Sequence, residues 1–274
     1  MLTRIAMCFV LLCLLSCRHE QKPVLVWSDE FENTGAPDST RWGYDLGNGD
    51  NGWGNNEQEY YTRDRKNVRV EDGKLIIEAH RDSLFEKPYT STRLMSKGKG
   101  DWRYGRIEVK AKLPKGKGTW PAIWMLSTDW KYGGWPASGE IDIMEHVGFD
   151  PGVVHGTIHT EAYNHIKQTQ KEGTITVPDA DGAFHVYAID WTEDKMDFLV
   201  DDKLYHSVVR DPADDFKGWP FDQRFYLIMN LAVGGNWGGR QGIDEAIWPQ
   251  RLEVDYVRVF QTSGDAEQKE LAKK

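Results

Sequence analysis

Three carboxylates lie close together in the stretch from Gly139 to His146, which reads GEIDIMEH. Glu140 and Asp142 alternate with isoleucines, which predicts a half-buried strand with both acids on one face. Glu145 breaks this period of two. An extra residue around Met144, in a β-bulge, would return the third acid to the face of the other two. Carboxylates within about 14 Å of strand repel one another, so some of their pKa values should be raised. Such a set can supply an ionised nucleophile and a protonated acid near neutral pH.

The alternative for these acids is a solvent-exposed strand face, on which Glu and Asp are ordinary. The tryptophans just upstream argue against it, because sugar rings stack on indole faces and a plain solvent face does not collect tryptophans. Glycoside hydrolysis needs two carboxyl groups beside the scissile bond, about 5–5.5 Å apart when configuration is retained. Glu140 and Glu145 across a bulge suit this spacing, with Asp142 between them, which predicts a retaining enzyme. The tryptophans are Trp120, Trp124, Trp130 and Trp135.

The N-terminus has the features of an export signal. The first 17 residues carry one charge, Arg4, and an apolar run from Ile5 to Leu15. That run is too short to span a bilayer, which indicates a signal peptide. Its ending resembles a bacterial lipoprotein processing box, with Cys17 as the lipidated first residue of the mature protein; the alternative is a plain signal peptide cleaved nearby. We therefore expect an exported protein, lipid-anchored to the bacterial cell envelope, with the outer membrane as its location.

Composition limits what the mature domain can do. All three cysteines fall within the first 17 residues, so the remaining 257 contain no disulfide, thiol nucleophile or cysteine metal site. The net charge of −9 becomes −10 once Arg4 is removed, which argues against nucleic acid or another polyanion as the partner. Twelve tryptophans are more than a core ordinarily needs. A neutral substrate fits this composition better than a polyanion.

Short segments of strand character recur along the chain, separated by turn signals such as Glu71-Asp72-Gly73-Lys74. No long stretch has a clean helical period, apart from the charged tail after Ser263. Many short strands with little helix predict a β-sandwich or barrel. The segments are Val68–Val70, Leu75–Ala79, Arg106–Leu113, Glu140–Met144, Val153–Thr160, His185–Trp191, Met196–Val200, Phe225–Leu231 and Leu252–Phe260.

Five stretches carry a family resemblance: WGNNEQEYYT from Trp53, YGRIEVKAKLP from Tyr104, TWPAIWML from Thr119, GEIDIMEHV from Gly139 and MNLAVGGNW from Met229. With them the chain resembles glycoside hydrolase family 16, and within it the bacterial laminarinase-like endo-β-1,3-glucanases. The resemblance runs in the family's order over nearly the whole mature domain. We accordingly divide the chain into a lipoprotein signal peptide (1–17), a tether (18–26), the family 16 catalytic domain (27–262) and a charged tail (263–274).

The resemblance implies an all-β jelly-roll sandwich of two antiparallel sheets with a concave substrate cleft. It implies a retaining endo-hydrolase of laminarin-type β-1,3-glucan that forms a covalent intermediate. Glu140 would be the nucleophile, Glu145 the general acid and then base, and Asp142 their electrostatic helper. No cofactor is expected for catalysis, and we expect a monomer that binds a β-glucan. The residues expected to touch sugar are Asn55, Arg93, Trp120, Trp124, Trp135, His159 and Asn230.

Two candidate metal sites can be considered from the sequence. Many relatives in the family hold one structural calcium on the convex face. The matching positions are Glu30, Gly73 and Asp255, whose carboxylate and carbonyl oxygens would suit a hard cation; ordinary surface acids are the alternative. A zinc site on His155 and His159, with His146 nearby, is a weaker reading, because no acid completes the set at an obvious spacing.

Two other functions fit the same fold. A non-catalytic carbohydrate-binding protein is one, since a fold does not fix a function; the intact acids favour an enzyme. A mixed-linkage β-1,3-1,4-glucanase, or another family 16 polysaccharide hydrolase such as one for a marine galactan, is the other. The chain has no basic cluster around the cleft motifs that would suit a sulfated galactan. The bulged acid motif separates it from relatives specific for mixed-linkage glucan, whose acids follow regular alternation.

Overall fold

Residues 22–262, which the computed structural model describes, form a sandwich of β-sheets. The predicted signal peptide, the lipidation at Cys17 and the tail over 263–274 lie outside these residues. Within them, no helix is long and apolar enough to cross a membrane. The one helical segment of this part of the chain is the turn Gly52–Asn56.

The described residues contain eighteen strands. In chain order they are β1 (Val24–Asp29), β2 (Gly43–Asp45), β3 (Glu59–Tyr61), β4 (Val68–Glu71), β5 (Lys74–Ala79), β6 (Tyr89–Ser91), β7 (Arg93–Met95), β8 (Asp101–Trp102), β9 (Gly105–Lys112), β10 (Thr119–Ser127), β11 (Glu140–His146), β12 (Val153–His159), β13 (Lys171–Thr176), β14 (His185–Trp191), β15 (Lys195–Val200), β16 (Lys203–Val209), β17 (Phe225–Val233) and β18 (Gln250–Gln261).

Two antiparallel sheets of eight strands make up the sandwich. The first has the order β16-β15-β14-β9-β18-β5-β4, with β1 also paired to β18. The second has the order β13-β12-β11-β10-β17-β7-β2, with β8 also paired to β17. Neighbours within each sheet are often far apart in sequence, because the chain crosses repeatedly between the sheets. The predicted all-β jelly roll is confirmed.

Alternation along the strands places the core between the two sheets. In β9, Ile107, Val109 and Ala111 are buried, while Lys110 and Lys112 face outward. The outward lysines pair with acids of the neighbouring β18 at 2.8 Å each. Burying a large apolar side chain contributes about 1.5–3 kcal/mol, so inner faces filled in this way hold the sheets together.

The domain begins earlier than the sequence indicated. Strand β1 starts at Val24 and runs antiparallel to β18, with Val24 opposite Gln261 and Asp29 opposite Val257. The predicted tether over 18–26 therefore ends before residue 24, and its last three positions belong to the sandwich. The cause is the long β18, whose edge pairs with this segment.

The nine predicted strand segments all correspond to observed strands, but as many again were not predicted. Most of the missed strands have two to four residues or lack alternation, so no period marks them. The long β10 was missed because Pro121 interrupts its pattern. That proline is tolerated because the ladder to β11 begins only at Ala122. A further difference lies in β18. The polar and apolar residues over 252–259 predict a regularly alternating strand, but a register shift between Val254 and Tyr256 breaks that alternation.

Candidate active site

The acid motif folds with the predicted bulge. Opposite β10, Trp124 pairs with Asp142 and Ile123 with Met144, so Ile143 is the extra residue of β11. The ladder to β12 shifts at the same place. Both the extra residue and Met144 are buried in the core between the sheets. Two consecutive inward side chains return the third acid to the face of the other two.

A cleft of about 1020 Å³ lies over this face of the second sheet. All three acids line it. Regular alternation along β10 turns Trp120 and Trp124 toward the cleft, while Ile123 and Met125 enter the core. The seven residues predicted to touch sugar are all in its lining: Asn55, Arg93, Trp120, Trp124, Trp135, His159 and Asn230.

Two of the tryptophans hold the acids as well as line the cleft. The indole N–H of Trp120 donates a hydrogen bond to Glu145 Oε1 at 2.9 Å. That of Trp135 donates to Glu140 Oε2 at 2.8 Å. Each outer acid of the motif therefore has one oxygen fixed by an indole. These contacts could not be predicted from the sequence, because the donors come from β10 and from the loop before β11.

The middle acid lies beside a histidine. His159 Nε2 lies 3.3 Å from Asp142 Oδ2 and 3.9 Å from Glu140 Oε1. Asp142 is only 2% exposed, so this imidazole and the neighbouring carboxyl dominate its surroundings. His159 thus faces both the nucleophile candidate and its helper.

Burial controls the protonation of the acids. Desolvation, followed by the charge of Asp142, raises the pKa of Glu140 to about 8. Desolvation also raises the pKa values of Asp142 and Glu145 well above their usual range. The raised pKa of Glu145 favours its protonated form, as a general acid requires. When Asp142 holds a proton, its repulsion of Glu140 disappears, which favours the ionised nucleophile.

The histidines do not assemble the zinc site considered from the sequence. His155 turns to Glu172, and His146 lies in the core side of β11, where its Nε2 accepts a hydrogen bond from the Gly152 N–H at 3.3 Å. In the described part of the chain, the acids and histidines that could share an ion are Glu140, Asp142 and His159. These are the catalytic candidates themselves.

The calcium positions have cationic partners. Arg258 donates to both carboxylate oxygens of Glu30, at 2.9 and 2.8 Å. Asp255 Oδ2 lies 2.8 Å from Lys110 Nζ. Gly73 occupies the β4–β5 turn with a φ of 71°. Both carboxylates are thus paired with cations of the protein, which a calcium ion would have to displace, and the calcium site stays a prediction.

One element of the cleft that the sequence did not reveal is a stack of two indoles on an arginine. The guanidinium carbon of Arg93 lies 4.5 Å from the ring centre of Trp53 and 4.7 Å from that of Trp124. Asp45 Oδ2 lies 3.0 Å from Arg93 Nε, an ion pair. Trp53 has a left-handed φ of 53°, an uncommon conformation that is often found at functional sites. Trp53 could have been suspected from the sequence, because it lies in the same motif as Asn55, which was predicted to touch sugar.

The rim of the cleft adds residues from three loops. Trp237 belongs to the glycine-rich stretch 234–239, and its ring lies 5.5 Å from that of Trp120 in an edge-to-face arrangement. His165 lies 5.2 Å from the ring of Trp135. The tryptophan could have been suspected from its glycine-rich loop, whereas nothing in the sequence singled out the histidine. Further lining residues that were not predicted are Glu57, His155, Glu172, Asn236 and Arg240.

A jelly roll with a long cleft, and with carboxyl groups flanked by indoles at its centre, defines a glycoside hydrolase of polysaccharides. The chain belongs to family 16 of these enzymes: the model of "Glycosyl hydrolases family 16" matches residues 55–258. The β-glucanase of Rhodothermus marinus is 53% identical over 267 residues, which cover 92% of this chain and 93% of that protein.

Two further comparisons agree. The glucan endo-1,3-β-glucosidase of Cryptopygus antarcticus is 42% identical over 251 residues, which cover 86% of this chain and 91% of that protein. The X-ray structure of the laminarinase from Rhodothermus marinus superposes with a TM-score of 0.86 at 54% identity, covering 89% of this chain and 99% of that one. The family resemblance found in the sequence is confirmed.

Proposed function

We propose that the protein is a retaining endo-glycoside hydrolase that cleaves β-1,3-linked glucan of the laminarin type. The observation that carries the proposal is the bulged strand β11, which presents Glu140, Asp142 and Glu145 together in the cleft. The similarity to a laminarinase and to endo-1,3-β-glucanases supports the linkage. Intact, hydrogen-bonded acids favour this reading over a non-catalytic binding protein.

The reaction proceeds in two displacements. Glu140 attacks the anomeric carbon as the glycosidic C–O bond breaks, and Glu145 gives its proton to the departing sugar oxygen. The product of this step is a glycosyl ester on Glu140. Glu145, now a carboxylate, takes a proton from water, whose oxygen attacks the same carbon and releases Glu140. Two inversions give net retention. No cofactor takes part in these steps.

The supporting residues act on charge. His159 and Trp135 both favour the anion of Glu140. His159 acts by charge attraction across 3.9 Å, and Trp135 acts by donating a hydrogen bond from its indole N–H. Asp142 lies between the outer acids, and a proton on it removes the negative charge that would otherwise oppose ionisation of Glu140. The Trp120 N–H keeps Glu145 directed at the cleft in both of its protonation states.

The test is to incubate the mature domain with laminarin, lichenan, agarose and carrageenan and to identify the products. A ladder of β-1,3 oligosaccharides from laminarin, with the β-anomer seen first by NMR, is the expected result. Glucose alone would indicate exo-action. Cleavage confined to lichenan would indicate mixed-linkage specificity, and binding of laminarin without cleavage would indicate a carbohydrate-binding protein.

The cellular setting is part of the proposal. Lipidation at Cys17 would tether the enzyme to the cell envelope, a reading supported by the apolar run and its processing-box ending. Cys17→Ser should then move the protein from the membrane fraction to the soluble fraction.

The proposal also includes a structural calcium on Glu30, Gly73 and Asp255. Such an ion would make the thermal midpoint higher in calcium than in the presence of a chelator. Size-exclusion chromatography tests the expected monomer.

A further inference from the structure

A chain of hydrogen bonds leads from the cleft to a buried carboxyl group. The indole N–H of Trp124 donates to Asn230 Oδ1 at 2.7 Å. Asn230 Nδ2 donates to the Tyr61 hydroxyl at 3.0 Å, and that hydroxyl donates to Glu57 Oε2 at 3.2 Å. An indole can only donate and a carboxylate only accept, so every link points the same way and the chain ends at Glu57.

A second carboxyl group lies beside the end of this chain. Glu59 is fully buried, and its Oε2 accepts from the Val233 N–H at 2.7 Å. Burial and the neighbouring Glu57 raise the pKa of Glu59 well above its usual range, and burial raises that of Glu57 as well. Two carboxyl groups side by side share one proton. A proton on Glu59 leaves Glu57 as a carboxylate, whose oxygen accepts the hydrogen bond from the Tyr61 hydroxyl.

Arg93 and Trp53, which lie beside this chain of hydrogen bonds, restrain the face of the Trp124 ring. Arg93 stacks against the Trp124 ring at 4.7 Å and against Trp53 at 4.5 Å. The ring of Trp53 in turn lies 5.6 Å from that of Tyr61. The Trp124 indole is therefore held both at its face and at its N–H. The carbonyl oxygen of Asn230 and one of its amide N–H groups already form hydrogen bonds within the chain, so few of its polar atoms remain to bind a sugar.

We propose that Glu57 is a positioning residue for substrate binding, which acts through Tyr61 and Asn230 to hold the Trp124 indole in the orientation that stacks on a sugar unit. Glu59 keeps Glu57 in the accepting state by carrying the proton. The inference rests on the proposed function, because it takes Trp124 to be a sugar platform.

The test compares two tyrosines that differ in what their hydroxyl groups contact. Tyr61→Phe removes the middle link of the chain. Tyr187→Phe is the matched control, because Tyr187 is equally buried in β14 of the other sheet, and its hydroxyl has no hydrogen-bond partner within residues 22–262. Both are placed in a Glu140→Ser background, which prevents turnover, and the Kd for a β-1,3-glucan oligosaccharide is measured by calorimetry.

We expect Tyr61→Phe to weaken binding about fivefold to tenfold, the value of one buried hydrogen bond, and Tyr187→Phe to leave the Kd unchanged. In a Trp124→Ala background, Tyr61→Phe should have no further effect, because the platform that it positions is gone. An equal loss with and without Trp124, or an unchanged Kd in Tyr61→Phe, would overturn the proposal.

A second pair of variants serves if Tyr61→Phe does not fold. Glu57→Gln retains an acceptor oxygen for the Tyr61 hydroxyl, whereas Glu57→Ala removes it, so glutamine should preserve affinity that alanine loses. Equal affinity in the two would overturn the proposal. If the Glu140→Ser parent itself binds no β-1,3-glucan oligosaccharide, the proposed function fails instead, so the two failures are distinguishable.

Discussion

The nucleophile is the single side chain on which the chemistry depends most. Glu140→Ser should lower kcat by several orders of magnitude while affinity for the oligosaccharide survives, because the lost interaction belongs to the transition state. Steady-state kinetics on laminarin, with calorimetry on the same variant, provide the measurement. Near-normal activity in the serine variant would remove Glu140 from its assigned role.

Each indole that holds an acid should control one limb of the pH profile. Trp120→Phe removes the donor to Glu145, which stabilises the anion, so the pKa of Glu145 should rise and the alkaline limb of kcat/KM should move to higher pH. Trp135→Phe does the same to Glu140, so it should move the acidic limb upward instead. Both variants moving the same limb would show that the acid and nucleophile roles are misassigned.

At the scale of the element, the bulge in β11 positions the general acid. Deleting Met144 restores regular alternation and moves the third carboxyl group one position along the strand. We expect a folded protein with much reduced β-1,3 cleavage. Met144→Leu is the control, since it keeps the bulge and nearly the same buried volume. Full activity after the deletion would mean that the bulge does not place Glu145.

The two faces of the second sheet should respond differently to loss of an indole. Trp135→Ala, on the cleft side, should weaken oligosaccharide binding and lower kcat with little change in thermal midpoint. Trp102→Ala, at 1% exposure in the core, should cost about 3–5 kcal/mol of unfolding free energy. The comparison is made by calorimetry of binding beside thermal unfolding. A large fall in midpoint for Trp135→Ala with unchanged affinity would assign that indole to the core.

For the whole molecule, the catalytic acids lower stability at high pH. A carboxyl group whose pKa is raised on folding contributes stability that is present below its unfolded value, about 4.3 for Glu, and is lost as pH rises through the folded value. For Glu140 this window runs from about 4.3 to about 8. Glu140→Gln removes the cost, so its thermal midpoint should exceed that of the wild type at pH 8.

The higher thermal midpoint of Glu140→Gln should disappear near pH 4, because the Glu140 carboxyl group of the wild type is then protonated in both the folded and the unfolded protein. Glu30→Gln is the control of opposite sign, because hydrogen bonding by Arg258 lowers the pKa of Glu30. Its midpoint should fall at pH 8 and approach the wild type in acid. Thermal unfolding at both pH values measures the two effects, and equal midpoints for Glu140→Gln and wild type at pH 8 would contradict the raised pKa.

The sequence determined the features whose signal is local. Alternation placed Glu140 and Asp142 on one face, and the adjacent apolar pair Ile143-Met144 marked the bulge that returns the third acid to it. In β18 the adjacent apolar pair Tyr256-Val257 also lies beside a ladder shift, but regular alternation was expected there, so that irregularity was not predicted. A period of two depends only on neighbouring residues in the sequence. The strand, the face of its side chains and the bulge in β11 can therefore be predicted without knowing which strands are neighbours.

The tertiary structure decided which groups hold the acids and the indoles. Tyr61 and Asn230, which link Glu57 to Trp124, lie 169 residues apart in sequence, and Trp120 reaches Glu145 only because β10 lies beside β11. The burial that raises the pKa of Glu140 likewise comes from neighbouring strands of the second sheet and the surrounding loops. Hydrogen bonds and desolvation depend on which strands are neighbours and in what register, and the periodicity of a single strand carries no information about either.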